Sequence, residues 1–524
     1  MPTWTGATTS YSVSTNWSGG LPTNTTDAIF DGAVSNANCI INTTGLVCFN
    51  FTIQNNYTGT ITFTNTLRIR GSITFITSVN FVGPGGIFGE SLTGVAVTYN
   101  SNNKPFNLPF TTGHNTITIN FVNTWTVSSF TTNFVSGNTN TYSGGIVNVT
   151  GNLSSGQTVA GSTTQFVLTG TGTFSTSISW SPPIEINTTG AITVGSCFLT
   201  GGCIFKYTNA LSITPSVGST VTIGIATLDL QNQPIGSLSL NGNGTITLLS
   251  NANVLNATLG IAGGTGVTLN GVGQRLNVRG NLSIAQVSGG LAGTGTITLK
   301  GSGTISSANP SLGLNNSAIG VDLELDTVGT YTATSNMSLG FGGKKFTRIN
   351  GTINWATFTL FVTNSTTFDT AGLIFNNVSF NTFTVFTYTI LSTFRVTGIL
   401  TLNGGVIFNG TAGWDCNNLV CSTTGTFNIT LQQGVTYRTR TAVSITGGLA
   451  TTVRPTITSS GASNAIWTLD FGATQSLIYV NGTRIDSSGG QTVWSFGVSP
   501  ANIATTINWN PGVPLRTVVH TFVN

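Results

Sequence analysis

Apolar and polar residues alternate with a period of two along almost the whole chain. Thr60-Ile61-Thr62-Phe63, Thr116-Ile117-Thr118-Ile119, Thr245-Ile246-Thr247-Leu248 and Thr296-Ile297-Thr298-Leu299 each set apolar side chains on one face and hydroxyls on the other. That is the pattern of a half-buried strand. Gly, Asn and Ser separate the runs, as strand-turn chains require. No segment reads as a helix of more than a couple of turns, since Gly is frequent and costs about 1 kcal/mol per helical position relative to Ala.

The strands also resemble one another. Leu67-Arg68-Ile69-Arg70-Gly71-Ser72-Ile73-Thr74-Phe75 recurs as Leu276-Asn277-Val278-Arg279-Gly280-Asn281-Leu282-Ser283-Ile284 and as Phe394-Arg395-Val396-Thr397-Gly398-Ile399-Leu400-Thr401-Leu402. A looser copy runs from Val147 through Gly151 to Ser154. The glycine falls between two short strands, where a left-handed or bent backbone would turn a corner. Recurrence of one strand-corner-strand unit marks a solenoid. The expected fold is all-β: a parallel β-helix, or β-solenoid, with terminal caps and about 15–20 coils. Tandem β-sandwich domains are the alternative, with similar strands. The expected division is an N-terminal cap or attachment segment at 1–60, a solenoid body at 61–435, and a C-terminal cap or small β domain at 436–524. Trp4, Trp17 and the first cysteines fall in the first segment, and Arg438, Arg440, Arg454, Arg484 and Arg516 with Trp467, Trp494 and Trp509 in the last.

Composition narrows the function. Only 5% of the 524 residues are charged, against roughly 25% in an average globular protein. The 31 Phe and 9 Trp argue against disorder, because disordered chains are poor in aromatics. A net charge of +4 from scattered residues includes no basic arm, so no nucleic-acid partner is expected. No apolar run is long enough to span a bilayer. Met1-Pro2-Thr3-Trp4-Thr5-Gly6 lacks the basic and apolar regions of a signal peptide, which leaves release within a particle, or a leader preceding Met1.

The cysteines fall into local pairs, Cys39 with Cys48, Cys197 with Cys203, and Cys416 with Cys421. None has Cys-x-x-Cys spacing. Each pair brackets a short turn-rich loop, so three local disulfides are expected, placing the protein in an oxidising, extracellular setting. Six buried free thiols are the alternative.

The opening Trp4-Thr5-Gly6, then Asn16-Trp17-Ser18-Gly19-Gly20, Pro22, Asp27 and Phe30, resembles the start of autotransporter-type β-solenoid repeats. Asn38-Cys39-Ile40-Ile41 to Val47-Cys48, followed by Tyr57-Thr58-Gly59-Thr60-Ile61-Thr62, resembles β-solenoid structural proteins of phages and large DNA viruses. The resemblance covers the first 80 or so residues best. It implies a fibre, spike or capsid-surface protein, and carries over no catalytic residue.

Candidate chemistry is sparse. Asp322, Glu324 and Asp326 alternate along one strand, with about 6.7 Å between successive carboxylates. That spacing would suit Ca²⁺ or an inverting glycosidase, against the plainer reading of a solvated acidic face. Asp27 and Asp31 would cap turns, with metal binding as the less favoured role. Trp414 beside Asp415 would offer a glycan contact. His114 and His520 lack a nucleophile motif. Lys344, Lys345 and Arg348 form a basic cluster. Asn-x-Ser/Thr sequons occur at Asn16, Asn42, Asn56, Asn148, Asn187, Asn281, Asn364 and Asn428. No catalytic site and no cofactor are expected. The favoured reading is a non-enzymatic, homo-oligomeric structural protein at a virion surface, in contact with other virion proteins and attaching to host glycans. A polysaccharide-degrading tailspike (glycoside hydrolase or lyase) and a secreted adhesin or surface-layer subunit are the alternatives.

Overall fold

The computed structural model describes residues 1–524 except 92–93, 114–115, 134–137, 161–162, 210–211, 261–265, 285–290, 308–318, 341–342, 382–384, 422–426, 448–453, 497–502, 505, 507 and 513–524. It is an all-β solenoid whose parallel strands stack in about 19 turns. The strand-to-strand ladders among the described residues are parallel, from Ala28–Asp31 on Phe51–Gln54 to Val493–Phe496 on Trp509–Gly512. That excludes β-sandwiches, which pair antiparallel. The three-residue 3₁₀ turn Ser14–Asn16 is the only helical element among the described residues.

The chain divides into two compact units, Met1–Leu255 and Asn256–Asn524. In the first, a nine-stranded sheet forms one wall, from Val47–Cys48 through Leu67–Ile69, Ile87–Gly89 and Pro109–Thr112 to Ser212–Pro215. Inward positions are almost uniformly apolar. Trp4, Trp125 and Trp180 are fully buried, and each aromatic removed from water contributes about 2–3 kcal/mol. Residues near the N-terminus lie over the first coil: Thr3 bridges to Ile29, and Ser10 to Ile40. The rings of Trp4 and Trp17 meet edge to face at 5.1 Å, and Tyr11 packs on Trp17 at 4.9 Å. This cluster covers strand Ala28–Asp31, which would otherwise present an open edge.

From Thr220–Asp229 and Ser237–Leu248 onward some strands are longer because they pass a corner without breaking. Ile319–Ala333 pairs with Lys344–Asn354 through two register shifts. Trp414–Cys421 pairs with Thr436–Thr446, which pairs in turn with Ala465–Leu469. The parallel ladder therefore carries on across position 436.

The repeated glycines turn their corners in an unexpected way. Gly71, Gly151 and Gly398 are not among the residues with positive φ. They are needed because the neighbouring coil comes too close. A Cβ at 71 would lie 2.3 Å from Asn50 Oδ1, and one at 398 would lie 2.3 Å from Asn377 Oδ1.

The expected disulfides are absent: Cys39, Cys48, Cys197, Cys203, Cys416 and Cys421 are all free and buried. Each thiol occupies an inward strand position as a small core side chain. Cys39 stacks on Ile61 and Cys48 on Ile69, in different sheets. Cys197 stacks on Val221 and Cys203 on Ala226, while Cys416 stacks on Thr439 and Cys421 on Ile445. Cys39 and Cys48 thus sit on separate strands with their own ladders, as do Cys197 and Cys203. Cys416 and Cys421 are spaced along the one strand Trp414–Cys421, held there by its ladder to Thr436–Thr446.

Candidate functional site

The acidic row Asp322, Glu324 and Asp326 lies on strand Ile319–Ala333, but it is not a solvated face: Asp322 and Asp326 are half-buried and Glu324 is buried. Its carboxylates do not converge on an open space. Arg275 Nη2 lies 3.2 Å from Glu324 Oε2. Lys300 forms an ion pair with Asp326. Asp322 Oδ1 accepts a 2.9 Å hydrogen bond from the backbone N–H of Lys345. The Lys300 hydrogen bond holds the Asp326 carboxyl below the usual carboxylate range, against some burial. Among the described residues no group of three or more His, Cys, Asp or Glu side chains is arranged to hold a metal ion.

Asp415 and Trp414 follow one another on a strand and so face opposite ways. Trp414 is 2% exposed and packs on Tyr437 at 4.4 Å and Phe408 at 4.9 Å inside the coil. It offers no stacking face to a sugar, so the expected joint glycan contact does not form. Asp415 points outward into a clamp. Arg395 Nη1 donates to Oδ1 at 2.7 Å, and Arg440 donates through Nε and Nη2 at 2.6 Å each. Burial alone would raise the Asp415 pKa, but the hydrogen bonds from Arg440 and the charge of Arg395 hold it low.

Other charged residues repeat this theme. Arg68 donates to both Glu90 oxygens, and Arg438 Nε and Nη2 reach Asp470 at 2.8 and 2.9 Å. Lys345 Nζ lies 3.4 Å from Asp369. The remaining members of the basic cluster bind backbone: Lys344 Nζ donates to the Gly293 carbonyl at 2.7 Å, and Arg348 Nε to that of Gly351 at 2.7 Å. Asp27 accepts from Asn50 Nδ2 at 2.9 Å, and Asp31 from the Ala33 N–H at 2.8 Å. Glu185, Asp229 and Asp486 accept from Gln165, Gln231 and the Ser488 N–H. All 12 carboxylates of the chain therefore have a partner within it. Most ion pairs join positions on neighbouring coils, such as Arg395 with Asp415, 20 residues apart, and Lys300 with Asp326, 26 apart. His114 and His520 lie outside the described residues.

The asparagines of the sequons also have structural work. Asn16 is fully buried, and its Nδ2 donates to Thr8 Oγ1 at 2.7 Å and the Ser10 carbonyl at 2.6 Å. Asn281 Oδ1 accepts from the Thr304 N–H at 2.9 Å, just as Asn256 Oδ1 accepts from the Asn281 N–H at 2.8 Å. A corner asparagine, an inward apolar residue and an outward hydroxyl together spell Asn-x-Ser/Thr, so the solenoid generates that tripeptide by itself.

One feature was invisible in the sequence. A surface groove of about 470 Å³ opens on the nine-stranded wall of the first unit. Its floor is the ladder Arg68, Phe88, Thr111, each directly above the last. Thr44, Asn65, Thr66 and Asn133 form its rim. These residues come from successive coils, so only a known coil length could have gathered them.

Comparison of the chain with protein-family models, curated proteins and solved structures finds no match.

Proposed function

We propose that the protein is a non-enzymatic structural component of a particle surface, a virion surface in the first instance, and that it attaches to glycans of a host. One observation carries the reading: the carboxylates are spent on neighbouring coils or on their own turns, leaving no converging pair for general acid and base work. A glycoside hydrolase needs two carboxyl groups flanking one bond, and the acidic row Asp322, Glu324 and Asp326 is already bound to Arg275, Lys300 and the Lys345 amide. The stacked wall suits a mechanical role, since each coil is bonded to its neighbours along its length. Sparse Lys and Arg leave few cleavage sites for trypsin-like proteases.

The reading is tested on particles purified from the cells that make the protein. Gold-labelled antibody against the chain should decorate the outside of intact particles, and the purified protein should bind host cells until their surface glycans are removed. Finding the chain only in cytosol, or release of reducing sugar from host polysaccharide by the purified protein, would overturn it.

A further inference from the structure

We infer that the groove over Arg68, Phe88 and Thr111 is a binding site for an extended, uncharged glycan, which leaves it along the hydroxyl ladder of the same wall. This deepens the attachment reading above and rests on it. Two independent observations support it.

The first is the chemistry of the groove. The hydroxyls of Thr44, Thr66 and Thr111 make no side-chain hydrogen bond among the described residues. Hydroxyls both donate and accept, and amides supply one of each, so they match the hydroxyls of a sugar ring. Asn65 Nδ2 donates to the Asn42 carbonyl at 2.8 Å, which leaves its Oδ1 to accept. Phe88 closes the floor as a buried side chain, so a ligand would meet the groove through the polar groups around it. Arg68 is the one charged residue of the lining, and Glu90 neutralises it from Nε and Nη2. An acidic ligand would have to compete with that carboxylate, so the site favours a neutral one.

The second observation is the wall beyond the groove. From Thr111 the outward column continues in register through Thr131, Ser154 and Ser175. A parallel column holds Thr173, Thr193 and Thr214. Strands Pro109–Thr112, Ser129–Thr132, Leu153–Ser155, Gly172–Thr176, Ala191–Val194 and Ser212–Pro215 contain no charged residue. Rungs about 4.8 Å apart, with columns about 6.7 Å apart, make a regular lattice of hydroxyls. A peptide would find neither an open strand edge here nor a countercharge. An oligosaccharide finds a hydrogen-bonding group at every step.

The test uses the full chain with neutral hexasaccharides of glucose, N-acetylglucosamine and mannose, read by saturation-transfer NMR and calorimetry. Thr66→Trp and Thr111→Trp fill the groove from its rim and its floor. Val272→Trp, on an exposed turn of the second unit, is the control, and circular dichroism verifies the fold of each. At least one hexasaccharide should bind, and each groove variant should weaken binding about tenfold or more, the equivalent of 1.4 kcal/mol, while the control does not. Retained binding in both groove variants would overturn the groove and leave glycan attachment standing. Absence of binding to every hexasaccharide, while the chain still adheres to host cells, would also overturn the groove alone. Loss of adhesion as well would overturn both readings.

Discussion

Asn377 Oδ1 accepts a 2.8 Å hydrogen bond from the backbone N–H of Ile399, one coil away, and Gly398 is the residue that makes room for it. A Cβ at position 398 would lie 2.3 Å from that oxygen. Asn50 and Gly71 repeat the relationship, with Asn50 Oδ1 accepting from the Ser72 N–H at 2.7 Å. The corner is thus a two-coil device in which an asparagine on one level caps a backbone amide on the next.

Gly398→Ala should therefore act through Asn377. The methyl group displaces the amide side chain and crowds the Asn376 carbonyl, 2.7 Å away, and the exposed Ile399 N–H loses its protein acceptor, a bond worth about 0.5–1.5 kcal/mol. Asn377→Asp keeps an acceptor oxygen in place and should cost less than Asn377→Leu. Urea unfolding of the three variants tests this order. Equal losses for Asp and Leu would show that the capping bond contributes little.

Asp415 bridges two coils through Arg395 and Arg440. Asp415→Ala leaves two guanidinium groups facing each other with one partner removed. Hydrogen bonds to charged groups contribute about 1.5–3 kcal/mol when shielded, and this clamp is only partly shielded, so a loss of about 1–2 kcal/mol is expected. Asp229→Ala, whose partner Gln231 lies in the same turn, should stay within about 0.5 kcal/mol. Hydrogen exchange should show the Asp415→Ala loss in strands Phe394–Asn403, Trp414–Cys421 and Thr436–Thr446 rather than throughout the chain.

What could be read from the sequence follows the range of the interaction. Alternation such as Thr60-Ile61-Thr62-Phe63 is local, and it gave the strands; the repeated corner gave the parallel stack. Partners one coil away were hidden, because the repeats are too uneven to fix a coil length. Without it, Asp326 could not be matched to Lys300 nor Asp415 to Arg440, and both acids read as candidates for binding. The same gap misled the cysteine pairing: a short loop between Cys197 and Cys203 suggested a bond, whereas each residue belongs to its own rung. For Trp414 the strand period alone was enough, since adjacent residues cannot share a face.

The thiols offer a direct check on burial. Burial pushes the Cys197 and Cys416 thiols up to about 12, and it raises the other four as well. A neutral, enclosed thiol is a poor nucleophile. Iodoacetamide at neutral pH should label no cysteine in the native protein and all six after unfolding in reductant-free urea. Failure to label the unfolded chain until reductant is added would show that disulfides form after all.

Stability against pH should be a plateau with two unequal shoulders. On the acid side, Asp326 and Asp415 have lowered pKa values in the fold. Their contribution is complete above the unfolded value of about 3.9 and fades as pH falls through the lower folded values. On the alkaline side the buried thiols are raised instead. The unfolded chain releases their protons near pH 8.5 while the fold retains them, so stability falls as pH climbs from about 8.5 towards 12. Cys416→Val keeps an apolar core position and removes one such group, and it should flatten the alkaline shoulder without touching the acid one. Urea midpoints measured from pH 3 to pH 11 for both proteins would decide this; an unchanged alkaline shoulder in the variant would remove Cys416 from the explanation and leave the other five buried thiols and the buried tyrosines, raised by the same burial, as its source.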